Sequence, residues 1–230
     1  MRALLPVLLI VGVPLAGYLA YRSWKQEQQR RAMVLQWATN SGFGYAVEDE
    51  SWCNRWNAAP FGEGSDRRAR NVVTGLSSGR SFATFDYSYE TQSTDAQGRT
   101  TTTTHRYLVT TVQLPAYLPR LQVTPENVLT RIGNALGLDD IELESEDFNR
   151  RFRVSSNDRK FACDVLTPTT MELLLARSAP SWRIDGPDLV AWEDGRVTPA
   201  RVLATLDVMG SIVTGIPTFV WHDHEAGGSA

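Results

Sequence analysis

The chain is poor in the residues that usually carry chemistry. Three histidines and two cysteines are spread over 230 residues. Cys53 and Cys163 lie far apart and fit no metal-binding spacing. They either pair in an oxidising compartment or sit as separate thiols, and the tendency of free cysteine to be buried favours the second. Cys163, in "KFACDVL", reads as a buried one. Glycine-rich phosphate loops are missing, since "GFG" at Gly42 is a fragment of the dinucleotide fingerprint. Neither Ser nor Cys stands in a nucleophile-elbow pattern. His105, the one histidine outside the C-terminal tail, borders a polar tract, a poor place for a preorganised base. The net charge of −3 gives no global pull toward polyanions, so nucleic acid is not an expected partner. No repeat of fixed period occurs. No cofactor is expected.

What the chain does have is an uncharged run of 19 residues, Ala3 to Tyr21. As a helix it would be about 28 Å long, close to the hydrocarbon thickness of a bilayer. Pro6 and Pro14 are tolerated in lipid-embedded helices, and Tyr18, Tyr21 and Trp24 stand where aromatic rings favour the headgroup layer. The reading is a transmembrane anchor over residues 1–22, a single pass in the cell membrane, with the lipid bilayer as first partner. A cleaved signal peptide is the alternative, but it would put Tyr18 at the minus-three position. Arg22, Lys25, Arg30 and Arg31 follow the run, against Arg2 before it, which places the following part in the cytoplasm by a small margin. The extracytoplasmic orientation is the other option.

Residues 23–41, with neither Gly nor Pro before Gly42, read as a helical stalk that starts polar and ends by docking. Met33 shares a face with Trp37, and Val34 with Ala38. From 42 to 221 the pattern is that of a single α+β domain with a mainly antiparallel sheet and helices packed on one side. "RNVVTGL" and "RSFATFDYSY" flank a short glycine turn at Ser77–Gly79, a hairpin signal. In the second of these, Ala83, Phe85, Tyr87 and Tyr89 alternate with Thr84, Asp86 and Ser88. Thr91 to Thr104 has no large apolar residue and reads as a long mobile loop before "HRYLVTTVQL" resumes the sheet. Helices are expected after Thr124-Pro125, after Thr167-Pro168 and after Thr198-Pro199, each by N-cap and N1 logic. "SWRIDGPDLVAW" suggests a small strand pair, and residues 222–230 a flexible tail.

Candidate functional residues are few. Asp86, between aromatics in "FDYSY", is expected to pair with Arg80 or Arg106. Tyr87 and Tyr89 are taken as exposed contact residues. Arg67, Arg68 and Arg70 form a basic cluster that, with Arg150, Arg151 and Arg153, suits anionic lipid headgroups. The acids from Asp139 to Asp147 read as a solvated face. His222 and His224 are weak metal candidates only, because a tail offers nothing rigid to hold them.

"NVVTGLSSGRSFATFDYSY", "LESEDFNRRFRV" and "RIDGPDLVAWEDG" resemble a family of bacterial proteins catalogued only as a domain of unknown function. The resemblance spans about Gly42 to Trp221 and implies an N-terminal hydrophobic anchor followed by one α+β domain. It implies no catalytic residues. The expectation is a membrane-tethered binding or scaffold domain that meets a protein partner at the membrane. Alternatives are a metal-independent hydrolase using carboxylates and a sensor of anionic lipid surfaces.

Overall fold

The computed structural model describes residues 4–128 and 139–225, without the side chains of residues 4–14, 16, 127 and 225. It opens with α1, Leu4–Asn40, and β1, Gly44–Glu48. An irregular segment follows, and then β2 (Ser65–Ser77), β3 (Arg80–Thr94) and β4 (Thr100–Pro125). Next come β5 (Asp140–Ile141), α2 (Glu146–Arg151), β6 (Phe152–Ser156), α3 (Arg159–Val165) and α4 (Pro168–Ala176). The described part ends with β7 (Ser181–Asp194), α5 (Pro199–Gly215) and α6 (Thr218–Glu225). The seven strands form one antiparallel sheet.

β4 is its spine. Its first half pairs with β3 on one edge, its last five residues pair with β6 on that same edge, and β7 runs along the other. The β4–β7 register slips between Gln113 and Leu118 and again before Leu121. Pro115 and Pro119 fall in those two gaps, where a missing N–H costs no ladder hydrogen bond. On the partner strand Gly186 takes φ +62°, and an added Cβ would stand 2.7 Å from the Tyr117 ring. Glycine adopts that positive φ without the strain another residue would meet. "SWRIDGPDLVAW" is therefore one bent strand, not a strand pair.

Ser78 and Gly79, both at positive φ, make the tight β2–β3 turn. The β3–β4 connection departs from expectation. Pairing continues from Glu90–Thr104 to Thr94–Thr100, and only residues 95–99 form the turn, held by Asp95 Oδ1 accepting from the backbone N–H groups of Gln97 and Arg99. The polar tract is an exposed two-stranded arm. Threonine favours extended backbone, and ladder hydrogen bonds order the arm where side-chain burial cannot.

Both faces of the sheet are covered. On one, Val73, Phe82, Leu108 and Val112 meet Val34 and Ala38 of α1 and the inner side of α5. Val202, Leu206, Met209, Ile212 and Val213 recur at spacings of three and four on α5, whereas Leu203 is exposed. On the other face, Phe85, Tyr87, Tyr89, Val109 and Trp192 pack under Trp56 and Phe61 of the irregular segment. Tyr87 and Tyr89 are thus buried, contrary to their expected exposure: period-two alternation points them under that segment. Sequence reading put helices on one side only; the cover on the other is the irregular segment with Trp56 and Phe61, which has no periodicity to show which face it packs on.

Thr167 caps α4 as expected, its Oγ1 accepting from Thr170 N–H. The helix expected after Thr124-Pro125 falls largely on residues 129–138, outside the described residues, while Thr124 and Pro125 themselves pair with Arg153 and Phe152. His222 and His224 lie in the last turn of α6, not in a flexible tail, and His224 meets the edge of Phe161. Cys163 is exposed, because α3 turns Phe161, Ala162 and Val165 inward. Among the described residues no single helix is long and apolar enough to cross a membrane. The run Ala3–Tyr21 lies mostly outside the described side chains.

Candidate functional site

α1 crosses the sheet roughly antiparallel to β3. Trp37 reaches Phe82 through Phe43, with ring centroids 5.5 and 5.1 Å apart in turn, while Arg30 reaches Asp86 four residues further along β3. Beyond Asp86 this face of the sheet changes character. Arg70 stands opposite Asp86, Arg68 opposite Ser88, Ser88 opposite Arg106 and Glu90 opposite Thr104. The polar ends of three strands form the floor of a cleft of about 340 Å³. Glu27, Arg30 and Arg31 of α1 make one wall, and Gly195 and Arg196 after β7 make the other.

Asp86 is the hinge pin of this arrangement. Its partner is Arg30, with Nη2 at 2.6 Å from Oδ2, and not Arg80 or Arg106. The same carboxylate accepts from Asn71 Nδ2 at 2.7 Å and from Val197 N–H at 2.6 Å. Asn71 can reach it because it sits at φ +52° where the β2–β3 register slips, and Tyr45 Oη donates to its Oδ1. Arg30 closes the loop by donating to the Val197 carbonyl at 2.9 Å. One carboxylate therefore joins α1, β2, β3 and the β7–α5 connection. An acid so occupied by donors is a poor general acid or base.

Glu27 accepts from Arg30 at 2.7 Å and Arg31 at 3.1 Å, and pairs with Arg196. Burial pushes its pKa up, but hydrogen bonds from Arg30 and Arg31, with the charges of Arg30 and Arg196, prevail and hold it at about 2. Arg68 pairs with Asp66 at 2.9 Å and Arg70 with Glu48 at 3.4 Å, both partly exposed. Arg106 is exposed and makes no ion pair among the described residues. Six arginines line the cleft against Glu27, Asp66, Asp86 and Glu90 on its walls and Glu48 behind Arg70, a surplus of one positive charge.

The expected basic cluster is split by strand periodicity. Arg68 and Arg70 face the cleft, whereas Arg67 faces the other way and donates to the Gly62 carbonyl. Arg150 and Arg153 are engaged elsewhere by Asp147 and Asp140, and Arg151 by Ser178, so they do not extend the patch. Sequence reading missed Arg30, Arg31, Arg106 and Arg196 as members of one site. Only Arg106, two residues beyond the tract and in register with Ser88, left a local signal. No group of three or more metal-type ligands exists among the described residues, His222 and His224 included.

The opposite face holds a second arginine of note. Arg183 on β7 is fully buried, with its guanidinium 5.6 Å from the Phe61 centroid and 5.5 Å from that of Trp192. Its Nη1 donates weakly to the carbonyls of Ala58 and Ala59 and to Gln122 Oε1. Burial lowers its pKa to about 10, against the pull of Asp185. Arg55 and Trp56 both donate to Asp188, fastening the same segment to β7.

The architecture is that of an α+β protein built on one antiparallel sheet. Residues 104–180 match the family model described as "Protein of unknown function (DUF3137)", so the resemblance drawn from the sequence to a domain of unknown function holds. That span runs from β4 to just before β7 and takes in only Thr104 and Arg106 of the cleft. A solved structure, described as the crystal structure of the mycobacterial trehalose monomycolate transport factor A, TtfA, is similar in fold. Its TM-score is 0.59 at 15% identity, and the match covers 81% of this chain and 96% of that one. No curated protein matches.

Proposed function

We propose that the chain is a binding or scaffold protein tethered to a membrane by residues 1–22, with the stalk at 23–41 and the α+β body at 42–221 held beside the bilayer, and with the arginine-lined cleft as its contact site. The observation that carries this reading is the clamp at Asp86. Through it the helix that continues the apolar run is bolted to the floor of the cleft, so tether and site move as one body. Tyr18, Tyr21 and Trp24, each more than half exposed on α1, suit the headgroup layer. The similar fold belongs to a protein named as a transport factor, and a transport-associated scaffold role enters here as part of the proposal. The positive charges after the run favour the cytoplasmic side.

Alkaline carbonate treatment of membranes carrying the full chain tests the tether. Retention in the pellet is expected, and release into the supernatant would overturn it. Ser93, exposed on the arm, serves as a labelling site for sidedness. The S93C substitution needs a C163S background, since Cys163 is itself exposed. Labelling only after the cells are opened supports the cytoplasmic orientation, and labelling from outside reverses it.

A further inference from the structure

The cleft's ligand class follows from where its free charge points. Three observations converge. The first is the surplus of positive charge in a concave site, with Arg106 unpaired among the described residues and Arg68 and Arg70 held only by partly exposed carboxylates. Guanidinium groups arranged around a cavity match the oxygens of a phosphate, which they can grip two at a time. The second is direction. The antiparallel passage of α1 over β3 brings the N-terminal part of α1 to the end of the sheet where the cleft opens. The third is reach. From Arg30 back to Tyr21 is about 14 Å of helix. Glu27, Arg30 and Arg31 on the cleft's wall are thus about 9–15 Å from the end of the apolar run along the helix axis. The headgroup layer occupies part of that distance.

We propose that this cleft binds the phosphodiester of an anionic phospholipid headgroup, with Arg68 and Arg106 as the principal contacts and Arg31 and Arg196 framing the entrance. This rests on the tethered reading, which places the mouth of the cleft at the membrane surface. Asp86, Arg30 and Glu27 stay occupied with each other and act as the frame.

The experiment uses the full chain in neutral detergent, titrated calorimetrically with soluble dihexanoyl phosphatidylglycerol, dihexanoyl phosphatidylcholine and inorganic phosphate. Saturable binding of the phosphatidylglycerol at one site is expected, with both other probes weaker. The R68E/R106E variant should weaken it at least about tenfold (~1.4 kcal/mol). Its melting midpoint should fall only slightly, because Arg106 is exposed and the Arg68–Asp66 pair that is lost is partly exposed. The R106K variant should fall between. Equal binding of phosphatidylglycerol and phosphatidylcholine, inorganic phosphate binding as tightly as the lipid, or an undiminished R68E/R106E variant each overturns the proposal. Carbonate retention without lipid binding sinks this inference alone. Carbonate release sinks the tether and with it the placement at a membrane surface.

Discussion

The two faces of the sheet use arginine in opposite ways. On the closed face, Arg183 is sealed between Phe61 and Trp192, its Nε 3.4 Å from Asp185 and its Nη2 without a hydrogen-bond partner. On the open face, Arg106 stands in water and Arg68 is half-exposed beside Asp66, above a polar floor. The first is a packing element that happens to be charged. Desolvation works against its charge, and its value to the fold lies in ring contacts and in the carbonyls of Ala58 and Ala59. The second kind contributes little to stability, since surface ion pairs are worth about 0–1 kcal/mol, and is free to meet a ligand. What separates structure from function here is the neighbourhood of a side chain, not its type.

That contrast is sharpest under truncation. Replacing Arg183 with Ala empties a site walled by two aromatic rings and should cost about 3 kcal/mol or more in urea unfolding. Arg183→Met, which refills the volume and removes the charge, should recover most of it, leaving a cost under about 1.5 kcal/mol. Equal losses in the two variants would show that the charge, not the packing, matters. The alkaline limb provides a further check on this face. Burial raises Tyr87 to about 12 and Tyr89 as well, so both favour the folded state while neutral. Their contribution is complete below about pH 10 and is lost as the pH rises toward 12. Arg183, lowered to about 10, acts in the opposite sense and relieves its own penalty over the same range. Tyr87→Phe should therefore flatten the loss, and a steeper fall in that variant would refute the assignment.

The frame of the cleft should respond less strongly and at the other end of the pH scale. Asp86→Asn removes the charge facing Arg30, a pair with side chains 15% and 14% exposed, and should cost about 2 kcal/mol, less than a fully buried pair. In a cycle with Arg30→Met the two losses should be non-additive, and simple additivity would break the claim of a clamp. Glu27, depressed to about 2, contributes stability that is complete above about pH 4.5 and disappears as the pH falls toward 2. Glu27→Gln should remove that part of the acid dependence, measured as unfolding midpoints across the window.

How much of this could be read beforehand divides along the same line. The α5 helix, the β2–β3 turn and the Thr167 cap were legible because each is a local pattern: spacing of three and four, a tight turn ending in glycine, a hydroxyl before proline. Asp86 was marked out by its aromatic neighbours, but its partner Arg30 is 56 residues away and no periodicity connects them. The cleft likewise draws on α1, three strands and the segment after β7. Long-range register decides such a site. The buried tyrosines were misjudged for the same reason, since the cover over them carries no repeat that would announce it.

The arm is the last place where reading and structure part, and it separates a strand from a loop by small energies. Thr102 lies opposite Gln92, both exposed. As a ladder position, Thr102→Gly should destabilise the arm by about 0.5–1 kcal/mol, through backbone entropy and lost β-propensity, while Thr102→Val should leave it unchanged. Global unfolding will not register this, because an exposed hairpin opens before the sheet does. Amide hydrogen exchange over residues 91–104 will. The glycine variant should exchange about 2–5-fold faster there, with the β4–β7 ladder unaffected. A mobile loop would exchange at the rate of unprotected amides in all three proteins, and that result would return the tract to the conformation its composition suggested.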